Sequence, residues 1–230
     1  MAKIRIDPLA LETFARLFGV TAFLETVDKA IPEMEWQERE ALKQSAEEQN
    51  WDFGDYDVET QLLDAKFQHW VPRFAVYSVI ILLDSVVETQ LFAYAGRIGR
   101  NRGSAFRPKD IAGHGIERAA FYLKQAAALD VKKDPAWRHL DNLQELRNII
   151  VHRGGRQGDS PEQKERVNQL LHAYPNEKLE LRENKYTFGG KMELWISMHL
   201  CRDFARQIEE FFKRLCKSAY LPEKGVQIES

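Results

Sequence analysis

At 230 residues the chain is long enough to bury one large core, and 44% hydrophobic with 30% charged residues is ordinary globular composition that excludes wholesale disorder. A formal net charge of −2 gives the molecule no overall pull toward nucleic acid or membranes, so a nucleic-acid site has to be a local basic patch. The amino-terminal residues carry no signal-peptide pattern, and the longest apolar run, 74–83, stops at Asp84, short of the ~20 residues a span needs; the expectation is a cytoplasmic protein without membrane contact.

Residues 8–31 carry a broad apolar stripe at helical spacing, with Leu9, Phe14, Leu17, Leu24 and Val27 among its members, and Pro32 is expected to end that helix. An acidic helix comes next over 33–50, then a turn around Trp51. Residues 58–98 read as a long helical stretch with a break near Pro72, apolar nearly all round over 74–94, as a central helix would be. A basic loop, 96–115, holds Arg97, Arg100, Arg102, Arg107 and Lys109. Helices resume over 116–129 and 134–153, the latter with Asp134 as N-cap, Pro135 at its first position and Gly154-Gly155 as its stop.

A short helix is expected over 161–173, a β-hairpin over 178–188 turning at Glu183-Asn184, a last amphipathic helix over 192–217 and a mobile tail over 219–230. Cys201 and Cys216 both fall on that last helix, about 22 Å apart by helical rise, too far for a disulfide. The fold class is therefore all-α with one small hairpin. Residues 1–55 read as a helical extension packed on a main domain over 56–218.

The helix over 134–153 holds the constellation that could carry chemistry. With Arg147 at zero and about 100° per residue, Leu140 falls near 20°, Leu143 near −40°, Ile150 near −60° and Val151 near 40°, which centres Arg147 in the apolar face. Asn148, near 100°, and His152, near 140°, share one flank with Trp137 and Asp141. A guanidinium on an apolar face has to be paired, because it cannot shed its charge. Asp84 and Glu88, one turn apart on the central helix, are the candidate partners. The alternative is structural throughout: Arg147 snorkels or joins a core network, and His152 faces the negative end of its own helix. A dimetal-carboxylate site would require Glu-x-x-His pairs; the chain has none, and no metal is expected.

Arg147-Asn148-Ile149-Ile150-Val151-His152, late in a helix and succeeded by Arg153-Gly154-Gly155-Arg156, resembles the Arg, polar residue, then His signature of the HEPN superfamily of RNA-directed helical domains. The resemblance covers about residues 60–215. It implies a helical bundle that pairs into a homodimer with two motifs across one cleft. It further implies a ribonuclease that needs no metal or cofactor, of a toxin–antitoxin or phage-defence kind, with an antitoxin or operon partner protein. Arg147 would hold the phosphate, His152 would move protons and Asn148 would orient the site. Arg153, Arg156, Arg97, Arg100 and Arg102 would bind the RNA backbone. The rival expectation is a non-catalytic member of the same fold that binds a protein or a nucleotide.

Overall fold

The computed structural model describes residues 7–186 and 191–220. Helix makes up 77% of the described residues, and the described sheet is one two-stranded antiparallel hairpin, so the fold is an all-α bundle with a small hairpin. In chain order the elements are α1 (Pro8–Gln49), α2 (Phe53–Ala65), α3 (Val71–Asn101), α4 (Gly115–Ala127), α5 (Trp137–Arg153), α6 (Pro161–Ala173), β1 (Leu179–Glu183), β2 (Met192–Ile196) and α7 (Met198–Tyr220). The chain divides into two compact units interleaved in sequence. The first comprises Met1–Gly19, Leu83–Gln144 and Asp203–Ser230, and the second Val20–Leu82 and Glu145–Arg202.

In the first unit α3 contributes Leu83, Val87, Leu91, Tyr94 and Ile98 to the core, α4 contributes Ile116, Ala119 and Leu123, and α7 contributes Phe204, Ile208, Phe211 and Phe212. Rings set the spacing: Tyr94 lies 5.7 Å from Phe212 and Trp137 lies 6.2 Å from Phe211, centre to centre. α5 begins at Trp137, three residues later than expected, so Asp134 and Pro135 precede the helix instead of capping and opening it. The Asp134 carboxylate accepts from Ala136 N at 2.8 Å and takes the Arg214 guanidinium through two bonds of 2.7 and 2.8 Å. Burial opposes its charge, yet Arg214 and the Ala136 amide outweigh that and hold its pKa below the usual carboxylate value. Cys201 is buried, which pushes its thiol up to about 12; it and Cys216 are both free.

The second unit contains most departures from sequence expectation. Helix α1 runs straight through Pro32 for 42 residues. A proline in a helix interior costs about 3 kcal/mol, and the helix is held by burial before it and by ion pairs after it. Leu24 is 1% exposed before it; after it, Arg39 binds Glu35 and Asp64 at 2.7 and 2.5 Å, and Lys66 binds Glu38 at 2.6 Å. The break expected near Pro72 is a widened π turn over Lys66–Trp70, which leads into α3 without interrupting it. The wide turn accommodates a ring that would otherwise press on the carbonyl one turn back. An 18-residue window in the helical run Phe53–Asn101 reaches a mean hydropathy of 1.6, enough by length and composition to cross a membrane, and 44% of it is buried inside the protein.

The hairpin begins where expected, but its return strand is β2, paired Leu179 to Ile196 through Glu183 to Met192, not residues 185–188. Residues 187 and 188 of the expected hairpin lie outside the described residues. Residues 192–196, read from sequence as the start of the last helix, are thus strand, and α7 begins at Met198. Ala219 and Tyr220 of the expected tail belong to α7, and the remainder of it lies outside the described residues.

Candidate functional site

Helix α5 carries Arg147, Asn148 and His152 within the second unit. Its buried side chains there are Leu146, Ile149 and Ile150, while Val151 is 47% exposed. The apolar arc is therefore rotated away from the side that a helical wheel assigns, and Arg147 sits at its rim, half-buried, rather than at its centre. The wheel counts Val151 as inward because it is apolar; the protein buries Ile149 instead. Trp137, expected in the polar strip, is 5% exposed and belongs to the core of the first unit. Asp141 stays at the surface, its carboxyl held above the usual range by partial burial and then by the Glu117 carboxylate.

The remaining strip has a defined local geometry. Arg147 Nη1 donates to Asn148 Oδ1 at 3.0 Å. Arg147 and His152 are five residues apart, about 140° around the helix, and would not face one substrate unaided. Asn148 lies one turn before His152, on its side of the helix, so the amide draws the guanidinium toward the imidazole. His152 is exposed. Asp84 is 4% exposed and Glu88 half-buried, both on the part of α3 that belongs to the first unit.

The turn after the motif is built with more constraint than its sequence suggests. The helix stops at Gly154 (φ +61°) and Gly155 (φ +83°), whose amides reach back to Ile150 O at 2.9 Å and Ile149 O at 3.1 Å. Residues 155–157 then line up along β2: Leu194 N donates to Gly155 O at 2.8 Å, and Gln157 N donates to Met192 O at 3.2 Å. A side chain at Gly155 would land on the Tyr77 hydroxyl, which itself donates to Leu194 O at 2.8 Å. Glycine is required there twice, for the left-handed backbone and for the close approach.

At the centre of this turn lies a buried carboxylate that sequence reasoning missed. Glu193, 3% exposed, forms an ion pair with Arg73, accepts from Asn184 Nδ2 at 2.8 Å and has Arg156 Nε at 3.6 Å. Arg73 also donates to Gly154 O at 2.8 Å, so one guanidinium ties the end of α5 to β2. His69, from the π turn, lies 3.4 Å from Arg73; burial first, and the Arg73 charge second, lower its pKa. Arg73 and Glu193 are 120 positions apart and no periodicity links them; the one available signal was a carboxylate in an otherwise apolar Leu194-Trp195-Ile196 segment.

Of the expected substrate-binding residues, Arg153 and Arg156 share one cleft of about 490 Å³, together with Lys164 and Lys191, which the sequence did not single out. Arg97 and Arg100 line a separate pocket of about 550 Å³ in the first unit, floored by Leu9, Phe92 and Tyr122. Arg97 there forms an ion pair with Asp7, and Arg102 donates to the Ala127 carbonyl, so two of the three expected contacts are engaged inside the protein. Among the described residues no three His, Cys, Asp or Glu side chains gather as a metal-ligand set. No family model, curated protein or solved structure matches this chain.

Proposed function

We propose that the protein is a metal-independent endoribonuclease of the HEPN type, in which Arg147, Asn148 and His152 form the cleaving site. The observation that carries the reading is the Arg147–Asn148 hydrogen bond, which turns a cation toward the flank of an exposed histidine. A fixed guanidinium neutralises a phosphodiester by a two-pronged contact, and an imidazole exchanges protons near neutral pH. In the reaction the RNA 2′-hydroxyl gives its proton to a base and attacks phosphorus. The bond to the 5′-oxygen breaks, that oxygen takes a proton, and a 2′,3′-cyclic phosphate remains.

The reaction needs a proton acceptor and a proton donor, and one motif supplies a single histidine. A homodimer that brings two motifs into one cleft meets that need. The exposed apolar side chains Val151, Phe74, Ile81 and Leu82, all in the unit that carries the motif, support such pairing. Within this reading the protein belongs to a toxin–antitoxin or phage-defence system, with a partner protein that restrains it.

Incubation of the purified protein with total cellular RNA in EDTA tests the reading. Fragmentation by wild type, and none by Arg147→Ala or His152→Ala, is the expected result. Intact RNA under all conditions, with a protein partner captured instead, favours the non-catalytic binding domain.

A further inference from the structure

We infer that the cleft beside the end of α5 is a phosphate subsite that holds the backbone of a single RNA strand next to His152. The inference rests on the RNA-directed reading above and extends it to residues outside the motif. Four cations line the cleft, Arg153, Arg156, Lys164 and Lys191, against a single lining carboxylate, Asp159. In a protein of net charge −2 this is a local concentration that opposes the average. Its volume of about 490 Å³ exceeds what an inorganic ion fills and lies in the range of sites for nucleotide-sized ligands.

The two arginines are held in place before any ligand arrives. Arg153 Nη1 donates to Gln157 O at 2.8 Å, folding the side chain back along its own turn. Gly158, at φ +86°, gives it room, since a Cβ there would stand 2.6 Å from Arg153 Nη1. Arg156 is oriented by the buried Glu193 carboxylate at 3.6 Å while staying about half exposed. Lys164 rides the first turns of α6, where Ser160 and Gln163 cap one another at 3.2 and 3.3 Å; Lys191 flanks β2. Neither lysine makes an ion pair among the described residues, and both are exposed. Two guanidiniums oriented by their own turn and two exposed lysine point charges suit a chain of phosphates more than one planar carboxylate. Arg153 is the next residue after His152 on α5, about 100° further round the helix, which sets the cleft one residue beyond the motif.

The test uses the full chain and a fluorescent 2′-O-methyl octaribonucleotide, which lacks the attacking hydroxyl and cannot be cut. Anisotropy titrations at several salt concentrations compare wild type, Lys164→Gln/Lys191→Gln, and Lys29→Gln/Lys43→Gln, which removes the same charge from the exposed surface of α1. The cleft pair should lose about tenfold in affinity, and its slope of log K against log salt should flatten by about 1.4, at ~0.7 per phosphate contact on a single strand. The α1 pair should bind as wild type does. Equal losses in both pairs, an unchanged cleft pair, or no binding by wild type overturns the subsite. The two readings fail separately: cleavage with a wild-type-like cleft pair removes the subsite alone, whereas selective loss of binding in a protein that cuts nothing removes the ribonuclease alone.

Discussion

The Arg73 guanidinium and the Glu193 carboxylate form an ion pair with only 11% and 4% of their side chains exposed, and the same guanidinium donates to the carbonyl of Gly154 at the end of α5. Removing one member strands the other in a poorly solvated place. Truncation of a buried pair costs about 3–5 kcal/mol. Glu193→Ala should therefore lower the melting temperature by roughly 6–20 °C, at about 2–4 °C per kcal/mol for a chain of this size. Arg16→Ala, at an exposed pair with Glu12, should change it by little. Thermal denaturation followed by circular dichroism measures both.

Gly155 and Tyr77 should behave as a coupled pair. Gly155→Ala meets the Tyr77 hydroxyl and a left-handed backbone at once, so a loss of about 2–4 kcal/mol is expected. Tyr77→Phe alone loses the bond to Leu194 O, about 1 kcal/mol. In the double variant only the overlap with the hydroxyl is relieved, since ring carbons would still stand 2.5 and 2.7 Å from the added Cβ, so its loss should fall below the sum of the two but stay well above that of Tyr77→Phe alone. Additive losses in urea titrations would show that the alanine is accommodated elsewhere.

Stability should decline in mild acid, before the carboxylates titrate. Burial, then Arg73, lowers the His69 pKa in the folded protein, and burial lowers that of His139. An unfolded histidine takes its proton near pH ~6.5, whereas these accept it only at lower pH once folded. Below the unfolded value the unfolded chain binds more protons, so stability is full above that pH and falls as pH drops toward the folded values. His69→Gln should flatten that early decline. An identical pH profile for wild type and variant would contradict the assignment.

Much of this fold could be read from periodicity and end signals. The helix expected over 161–173 is α6 with the same bounds, Gly154-Gly155 marked the end of α5, and the motif residues lay on the helix the sequence proposed. Other features escaped. Pro32 reads as a stop in sequence, and the contacts that carry α1 past it, burial at Leu24 and ion pairs at Arg39 with Asp64, are partly non-local. Residues 192–196 are apolar enough to join the amphipathic helix behind them, and their pairing with β1 is a non-local choice. The inward side of α5 depended on Ile149 being buried in place of Val151, which apolarity alone cannot rank. Lys164 and Lys191 entered the cleft by the same route, through chain reversals rather than spacing.

Asn148 should act on rate more than on binding. Its amide holds Arg147 Nη1, so Asn148→Ala removes that one hold on the guanidinium and leaves its charge in place. The loss of one charge-assisted bond, about 1.5–3 kcal/mol, corresponds to roughly 10- to 150-fold in single-turnover cleavage. Affinity for the 2′-O-methyl strand should hold. If rate and affinity fall together, Asn148 contacts the RNA itself.

Cleavage of RNA by its own 2′-hydroxyl at the Arg147–His152 site is open to direct measurement. The experiment takes an oligoribonucleotide cut at one position and repeats the reaction, in EDTA, with a single 2′-deoxyribose at the nucleotide 5′ to the cut. Wild type should leave a 2′,3′-cyclic phosphate on the all-ribose strand, detected by mass, and should leave the substituted strand whole. Cutting of the deoxy-substituted strand at the same position, or cutting that persists in His152→Ala, would contradict the account.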